Sequence, residues 1–129
     1  MKKIFLLLLS AVILLTGCAA PQDTAKSFRQ VSMKEAVEMM EKESDYIILD
    51  VRTQGEYNSG HIPNAILLPN ESIGSEEISA LPDKDQLIFV YCRSGSRSKQ
   101  AASKLYKLGY TNIVEMGGIN AWTGDIVTE

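Results

Sequence analysis

Short apolar runs, separated by helical or turn-rich segments, set the pattern of this chain from residue 46 onward. Each run has the length of a β-strand and shows no alternation of polar and apolar positions. Such runs are typical of strands that are covered on both faces. Four segments fit this description: YIILDV (46–51), AILLP (65–69), QLIFVY (86–91) and NIVEM (112–116).

Two helical patterns accompany these predicted strands. Ser32 and Glu35 have the spacing of a capping box, and apolar residues recur after it at helical intervals. The segment SKQAASKLYKLGY (98–110) carries its apolar residues on one face, so we expect a helix that begins near Ser98 or Lys99. Alternating strands and helices predict an α/β fold, with a mostly parallel central sheet and helices on both faces.

The N-terminus follows a different pattern. Two lysines precede an apolar run over 4–15, which is shorter than the roughly 20 apolar residues of a membrane-spanning helix and predicts an export signal. The run ends in LTGC (15–18), which resembles the lipobox of bacterial lipoproteins. That resemblance implies that residues 1–17 are a signal peptide and that a lipid on Cys18 anchors the exported protein to the extracytoplasmic face of the membrane. An uncleaved anchor and a simple secretory signal are the alternatives.

The rest of the chain has the composition of one globular domain. After Cys18, the segment AAPQDTAKS is small, polar and aperiodic, so residues 18–27 are expected to form a flexible tether and residues 28–129 a single domain. The predicted signal peptide contains two lysines and no other charged residue. Its removal takes the formal charge from −3 to −5, and nothing basic points to a nucleic-acid partner.

Cysteine usage draws attention to one residue. With Cys18 lipidated, Cys92 is the only remaining thiol of the 2 cysteines, so no intramolecular disulfide can form. A lone thiol in an oxidising compartment is vulnerable to dimerisation and over-oxidation, which favours a functional role for Cys92. The alternative is an inert thiol buried in the core.

The residues that follow Cys92 favour a reactive thiolate. They form a loop of small residues and arginines between a predicted strand and a predicted helix. The backbone N–H groups of such a loop can converge as an anion-binding nest, and the helix N-terminus adds its positive dipole. These surroundings lower the pKa of a thiol and attract an anionic substrate, which the arginines can pair with. The predicted loop comprises Cys92, Arg93, Ser94, Gly95, Ser96 and Arg97.

The sequence lacks the residues that several other chemistries require. His61 is the only histidine and precedes a proline turn, so a Cys–His hydrolase pair is not indicated. One cysteine and one histidine are too few for a metal site, and no CxxC redox pair is present. The sequence therefore predicts a thiolate chemistry that needs no separate base, no metal and no cofactor.

Three segments occur in a recognisable order: ILDVRTQGEYNSGHIPNAILLP (48–69), IFVYCRSGSRSKQAASKLYKLGY (88–110) and NIVEMGGINAW (112–122). Together they resemble the motifs of single-domain rhodaneses, which are sulfurtransferases. The resemblance implies a rhodanese-like fold with about five strands. It also implies that Cys92 takes sulfur from thiosulfate or a persulfide donor, carries it as a persulfide, and passes it to cyanide or a thiol.

The same resemblance assigns roles to residues near the cysteine. The backbone from Arg93 to Arg97 is expected to surround the persulfide, and the two arginines to favour the anionic donor. Asp50 and Arg52 of the DVR sequence are expected to brace the active-site region. Ser98 belongs with these supporting residues.

Details of the motifs refine this picture. Four residues separate Cys92 from Arg97, as in sulfurtransferases, whereas related proteins that act on phosphate or arsenate have five and carry an arginine where Ser98 stands. Asn64 replaces the usual glycine after the GHIP sequence, and asparagine can also reach positive φ. His61 matches the GHIP turn, which implies a structural role.

Three functional hypotheses follow. The first is a rhodanese-type sulfurtransferase, which the presence of Cys92 with both arginines favours. The second is a rhodanese-like binding or sulfur-delivery module with little turnover of its own, and the third is a thiol redox sensor that forms a sulfenic acid or a mixed disulfide. The expected partners are a small anionic sulfur donor, a cyanide or thiol acceptor, and the membrane through the N-terminal lipid.

Overall fold

The computed structural model describes residues 28–129. The predicted signal peptide (1–17), the lipidated Cys18 and the tether (18–27) lie outside these described residues. Within 28–129, no helix combines the length and the apolar character that crossing a membrane requires.

The described chain alternates strands and helices, and its strands pair in parallel in the order β1-β5-β4-β2-β3. Short 3-10 helices at Asn70–Ser72 and Ile119–Ala121 follow β3 and β5. The predicted α/β fold with a parallel sheet of about five strands is confirmed. Along the chain the elements are β1 (Arg29–Gln30), α1 (Met33–Lys42), β2 (Tyr46–Asp50), α2 (Gln54–Ser59), β3 (Ile66–Leu67), β4 (Leu87–Cys92), α3 (Ser96–Lys107) and β5 (Ile113–Gly118).

Strand β4 lies at the centre of the sheet and is buried along its whole length. Its alternate side chains enter two different cores, as expected for a strand covered on both faces. Phe89 and Tyr91 belong to the core that contains α1, whereas Ile88 and Val90 belong to the core that contains α3. Because all pairs are parallel, the carboxyl ends of β2, β4 and β5 meet at one edge of the sheet.

Helix α3 begins earlier than the sequence predicted. Its first residue is Ser96, and its N-cap is Gly95 with a φ of 110°, a left-handed conformation that glycine adopts without steric cost. The loop after Cys92 is therefore tight, and the two residues before Ser98 already belong to the helix.

The segment after β2 contains helix α2, for which the sequence showed no helical pattern. A capping box starts this helix: the Thr53 hydroxyl accepts from the Glu56 amide, and the Glu56 side chain accepts from the Thr53 amide. The helix has only six residues, too few to display an apolar period. After it, Asn64 has a φ of 68°, so the predicted positive φ at this turn is confirmed.

Candidate active site

The candidate nucleophile lies at the carboxyl end of the central strand. Cys92 is the last residue of β4 and is only 1% exposed. The chain then turns through residues 93–95 and enters α3, whose N-terminus faces back toward the sulfur. This strand, turn and helix bring the predicted loop residues around one buried atom.

Hydrogen bonds surround the Cys92 sulfur. The Gly95 amide donates to Sγ at 3.0 Å, and the Ser98 hydroxyl lies 3.4 Å from Sγ. Burial raises the pKa of the Cys92 thiol, but hydrogen bonds from Ser98 and from the amides of Gly95 and Ser94 outweigh it and bring the pKa below its ordinary value. Cys92 therefore loses its proton more readily than an ordinary thiol, although it is almost completely buried.

Two glycines at the end of β5 form the wall against which this loop packs. A Cβ atom at Gly118 would overlap the Arg93 carbonyl and come within 2.6 Å of the Ser94 Cα. Gly117 has a φ of 82°, another conformation that glycine favours. The loop around the cysteine can take its position only because this part of β5 has no side chains. Both glycines belong to the NIVEMGGINAW segment, in which nothing indicated a role for them.

Ser98 connects the sulfur to a buried carboxyl group. Its Oγ lies 2.6 Å from Glu115 Oε1 and 3.0 Å from the Gly95 carbonyl oxygen, and it is fully buried. Glu115 is 2% exposed and also accepts from the Gly117 amide at 2.8 Å. Glu115 was not among the predicted site residues, although a single acidic residue within the apolar run NIVEM was a usable signal.

The two loop arginines have different surroundings. Arg97 donates to both carboxylate oxygens of Glu56, at 2.6 and 2.9 Å. The hydrogen bonds from Arg97 lower the pKa of Glu56 to about 2, so the pair is fully ionised at neutral pH. Arg93 is exposed and forms no ion pair within residues 28–129. Arg93 is thus the arginine whose charge is available to a ligand.

Asp50 and Arg52 form a buried pair beside the site, at the end of β2. Arg52 donates to Asp50 Oδ2 at 2.7 Å and to the Gly60 carbonyl at 2.7 Å, which ties the end of α2 to the sheet. The Tyr91 hydroxyl donates to the same Asp50 oxygen at 2.6 Å. Burial and this hydrogen bond raise the pKa of Tyr91. Neither Asp50 nor Arg52 is bonded to the sulfur; both hold the surrounding backbone in place.

His61 also supports the backbone. Its ring stacks on Tyr57 at a centroid distance of 3.7 Å, and its Nδ1 lies 2.8 Å from the Tyr57 carbonyl oxygen. Its backbone exchanges two hydrogen bonds with Val127 in an antiparallel bridge. These contacts agree with the structural role that the sequence predicted.

A cavity of about 410 Å³ opens beside the cysteine loop. The positively charged Arg93 side chain and the negatively charged Glu56 side chain both line this cavity. Cys92 is not one of the lining residues. Ser94 and Ser96 are exposed, and their side chains make no hydrogen bond within residues 28–129. Ser94 acts on the sulfur through its backbone amide. The cavity is lined by Arg52, Gly55, Glu56, Ser59, Gly60, Arg93, Ile119 and Asn120.

Known proteins share this sequence and fold. The chain matches the family described as Rhodanese-like domain over residues 32–125, most of its length, and it belongs to that family. It is 34% identical over 97 residues to "Thiosulfate sulfurtransferase GlpE" of Pseudoalteromonas translucida, across 74% of this chain and 90% of the relative. It is 35% identical over 71 residues to "Thiosulfate sulfurtransferase PspE" of Escherichia coli, across 55% of this chain and 68% of the relative.

A solved structure supports the same assignment. The structure described as "rhodanese with anions from E. coli" is 31% identical to this chain, with a TM-score of 0.60. The alignment covers 65% of this chain and 99% of that structure. The resemblance drawn from the three sequence motifs is therefore confirmed.

Proposed function

We propose that this rhodanese-type sulfurtransferase carries the sulfur it transfers as a persulfide on Cys92. The observation that carries the proposal is the buried Sγ, which accepts a hydrogen bond from the Gly95 amide at 3.0 Å at the N-terminus of α3. The relatives named thiosulfate sulfurtransferases support thiosulfate as a donor.

The reaction has two displacement steps. In the first, the Cys92 thiolate attacks the outer sulfur of thiosulfate; the bond between the two thiosulfate sulfurs breaks, and sulfite leaves with the electron pair. In the second, cyanide or a thiol attacks the outer sulfur of the Cys92 persulfide and regenerates the thiolate. Both steps place negative charge on sulfur, and the amides of the loop are positioned to stabilise it.

The charges at the cavity favour an anionic donor through Arg93. Its guanidinium is exposed, lines the cavity and has no acidic partner in the described part of the chain. Arg97 contributes less than its position in the sequence suggests, because Glu56 balances its charge. We therefore assign donor attraction mainly to Arg93 and a secondary role to Arg97.

The redox-sensor hypothesis has less support from the site. Cys92 is almost fully buried, which hinders access of an oxidant or of a second thiol, and residues 28–129 contain no second cysteine that could resolve a sulfenic acid. Formation of a persulfide on the buried Cys92 sulfur requires only that a small donor such as thiosulfate reaches the sulfur.

Intact-mass measurement tests the persulfide directly. The purified protein is incubated with thiosulfate, desalted and weighed, with Cys92→Ser as the control. We expect a gain of one sulfur atom in the wild type, loss of that gain after cyanide is added, and no gain in the variant. No gain with thiosulfate or with a persulfide donor would contradict the proposal.

We also propose that the protein is exported and anchored through a lipid on Cys18. The support is the lysine pair, the apolar run over 4–15 and the LTGC sequence. Cells grown with alkyne-tagged palmitate are expected to label the wild type, and the Cys18→Ser variant is expected to carry no label. A labelled Cys18→Ser variant would contradict lipidation at this residue.

A further inference from the structure

Residues 123–127 connect two walls of the cavity beside the cysteine loop. One wall is formed by α2 and by Gly60, which follows it, and the other by residues of the 3-10 helix Ile119–Ala121. The chain leaves this 3-10 helix at Trp122 and returns at Val127 to the residue that follows Gly60. Residues 123–127 are called the strap below, because they join the two walls directly.

A tight turn ties the beginning of the strap to the 3-10 helix. The Trp122 indole N–H donates to the Asp125 carbonyl at 2.9 Å. A Cβ atom at Gly124 would come within 2.7 Å of the indole ring, so the chain can fold this closely over the ring because it has no side chain there. The 3-10 helix is in turn held to the cysteine loop, since the Asn120 amide donates to the Arg93 carbonyl at 3.4 Å.

A backbone bridge ties the end of the strap to the other wall. The His61 amide donates to the Val127 carbonyl at 2.9 Å, and the Val127 amide donates to the His61 carbonyl at 3.0 Å. Ile126 packs on Gly60 so closely that a Cβ atom at Gly60 would come within 2.8 Å of its Cγ2. Gly60 lines the cavity, so the strap is in direct contact with this wall.

Helix α2 depends on such contacts because it is short. It has six residues, of which Tyr57 alone is buried, and a helix of this length is not stable by itself in water. The capping box at Thr53 holds its beginning, whereas its end is held by the Arg52 bond to Gly60 and by the strap. The same helix carries Glu56 on the cavity wall.

We propose that the strap is a positioning element for the sulfur donor, because it sets the separation of the two cavity walls. The inference rests on the proposed function, in which Arg93 attracts an anionic donor to this cavity. The strap is separate from the groups that activate the sulfur, since Cys92 Sγ is bonded to Gly95 and Ser98. A loosened strap should therefore weaken donor binding and leave the reactivity of Cys92 unchanged.

Replacing Val127 by proline in the full chain tests the strap. Proline has no amide proton, so one of the two bonds to His61 is lost. We expect the KM for thiosulfate to rise about three- to tenfold, a change of the size that one lost hydrogen bond produces in an equilibrium, with kcat unchanged. The rate at which neutral iodoacetamide alkylates Cys92 is expected to stay constant.

Two substitutions serve as controls. Thr128→Pro places the same residue one position later, where the amide donates no hydrogen bond within residues 28–129. Val127→Ile keeps both bonds of the bridge. Both variants are expected to have the KM of the wild type. An equal rise of KM in Thr128→Pro, or alkylation that slows as much as kcat/KM falls in Val127→Pro, would overturn the proposal.

Hydrogen exchange reads the effect on α2 without any sulfur donor. We expect the amides of residues 57–60 to exchange faster in Val127→Pro, and those at the beginning of α3 to exchange as in the wild type. Trp122→Phe removes the indole N–H, keeps an aromatic ring and should show the same changes in exchange and KM. Unchanged exchange in α2, or faster exchange with an unchanged KM, would overturn the proposal. Failure of the persulfide proposal is read separately, from the mass of the wild type.

Discussion

Replacing Glu56 by glutamine tests whether its ion pair with Arg97 limits the attraction of an anionic sulfur donor. The two side chains are bonded through two hydrogen bonds and are 29% and 32% exposed. Glutamine has a similar size and can also occupy the third position of the capping box that starts α2. The substitution therefore removes one negative charge from the cavity with little change to the local fold.

The expected gain can be worked out from Coulomb's law. Two unit charges 4 Å apart interact by about 1 kcal/mol in water, so a released guanidinium attracts dianionic thiosulfate by about 2 kcal/mol. Salt at about 0.1 M, with a Debye length of about 10 Å, reduces this attraction to about 1.4 kcal/mol. That energy corresponds to an increase of about tenfold in kcat/KM.

The assay measures kcat/KM for thiosulfate with cyanide as the acceptor, at low and at moderate salt. Alkylation by neutral iodoacetamide serves as the reference, because it reports the reactivity of Cys92 without a donor charge. Glu41→Gln, an exposed position on α1, removes the same charge from outside the cavity lining. We expect the gain in Glu56→Gln alone, and a smaller gain at higher salt.

Two outcomes would contradict a neutralising role for Glu56. If kcat/KM for thiosulfate stays constant or falls in Glu56→Gln, then Glu56 orients Arg97 toward the donor instead of neutralising it. If alkylation rises as much as kcat/KM, the charge acts on the Cys92 sulfur and the donor is not its target.

Three further predictions concern stability and the wall of the site. The Glu56–Arg97 pair has a lowered Glu56 pKa of about 2, so the wild type should be more stable than Glu56→Gln above the ordinary glutamate pKa of about 4.3. This difference, below about 1 kcal/mol for a pair that solvent still partly screens, should vanish in urea unfolding as the pH falls toward 2, and a constant difference would contradict it. Gly118→Ala forces a Cβ into the Arg93 carbonyl and should cost about 1–3 kcal/mol of unfolding free energy and slow alkylation of Cys92; an unchanged alkylation rate would show that the loop does not depend on this contact. Tyr91→Phe leaves buried Asp50 and the Ile62 amide each short of one partner and should cost about 1–3 kcal/mol, measured by urea unfolding; a neutral effect would show that the surrounding groups compensate.

Much of the fold could be predicted from the sequence, because it depends on local patterns. The unbroken apolar runs marked β2, β4 and β5 as buried parallel strands. The small residues after Cys92 indicated a loop whose amides point inward. Helix α2 could not be predicted because its six residues are too few to show a helical period of apolar positions. Strand β1 could not be predicted because it consists of two polar residues at the edge of the sheet.

The charge arrangement of the site could not be predicted in the same way. The Arg97 partner, Glu56, lies 41 residues away along the chain, and the two residues meet because α2 and α3 both begin after strands that end at the same edge of the sheet. Glu115 likewise meets Ser98 only because β5 pairs with β4 and α3 packs over both. Residues of this kind act through long-range contacts, and a single sequence contains no measure of them.

The source of the hydrogen bonds at Cys92 has a consequence for how this site can change in evolution. The sulfur is made reactive mainly by backbone amides and by buried Ser98, whereas the side chains of Arg93, Ser94 and Ser96 point outward. Generating the nucleophile and choosing the substrate therefore depend on different atoms of the same loop. New donors and acceptors can be selected by exchanging exposed side chains, while the reactive sulfur stays intact beneath them.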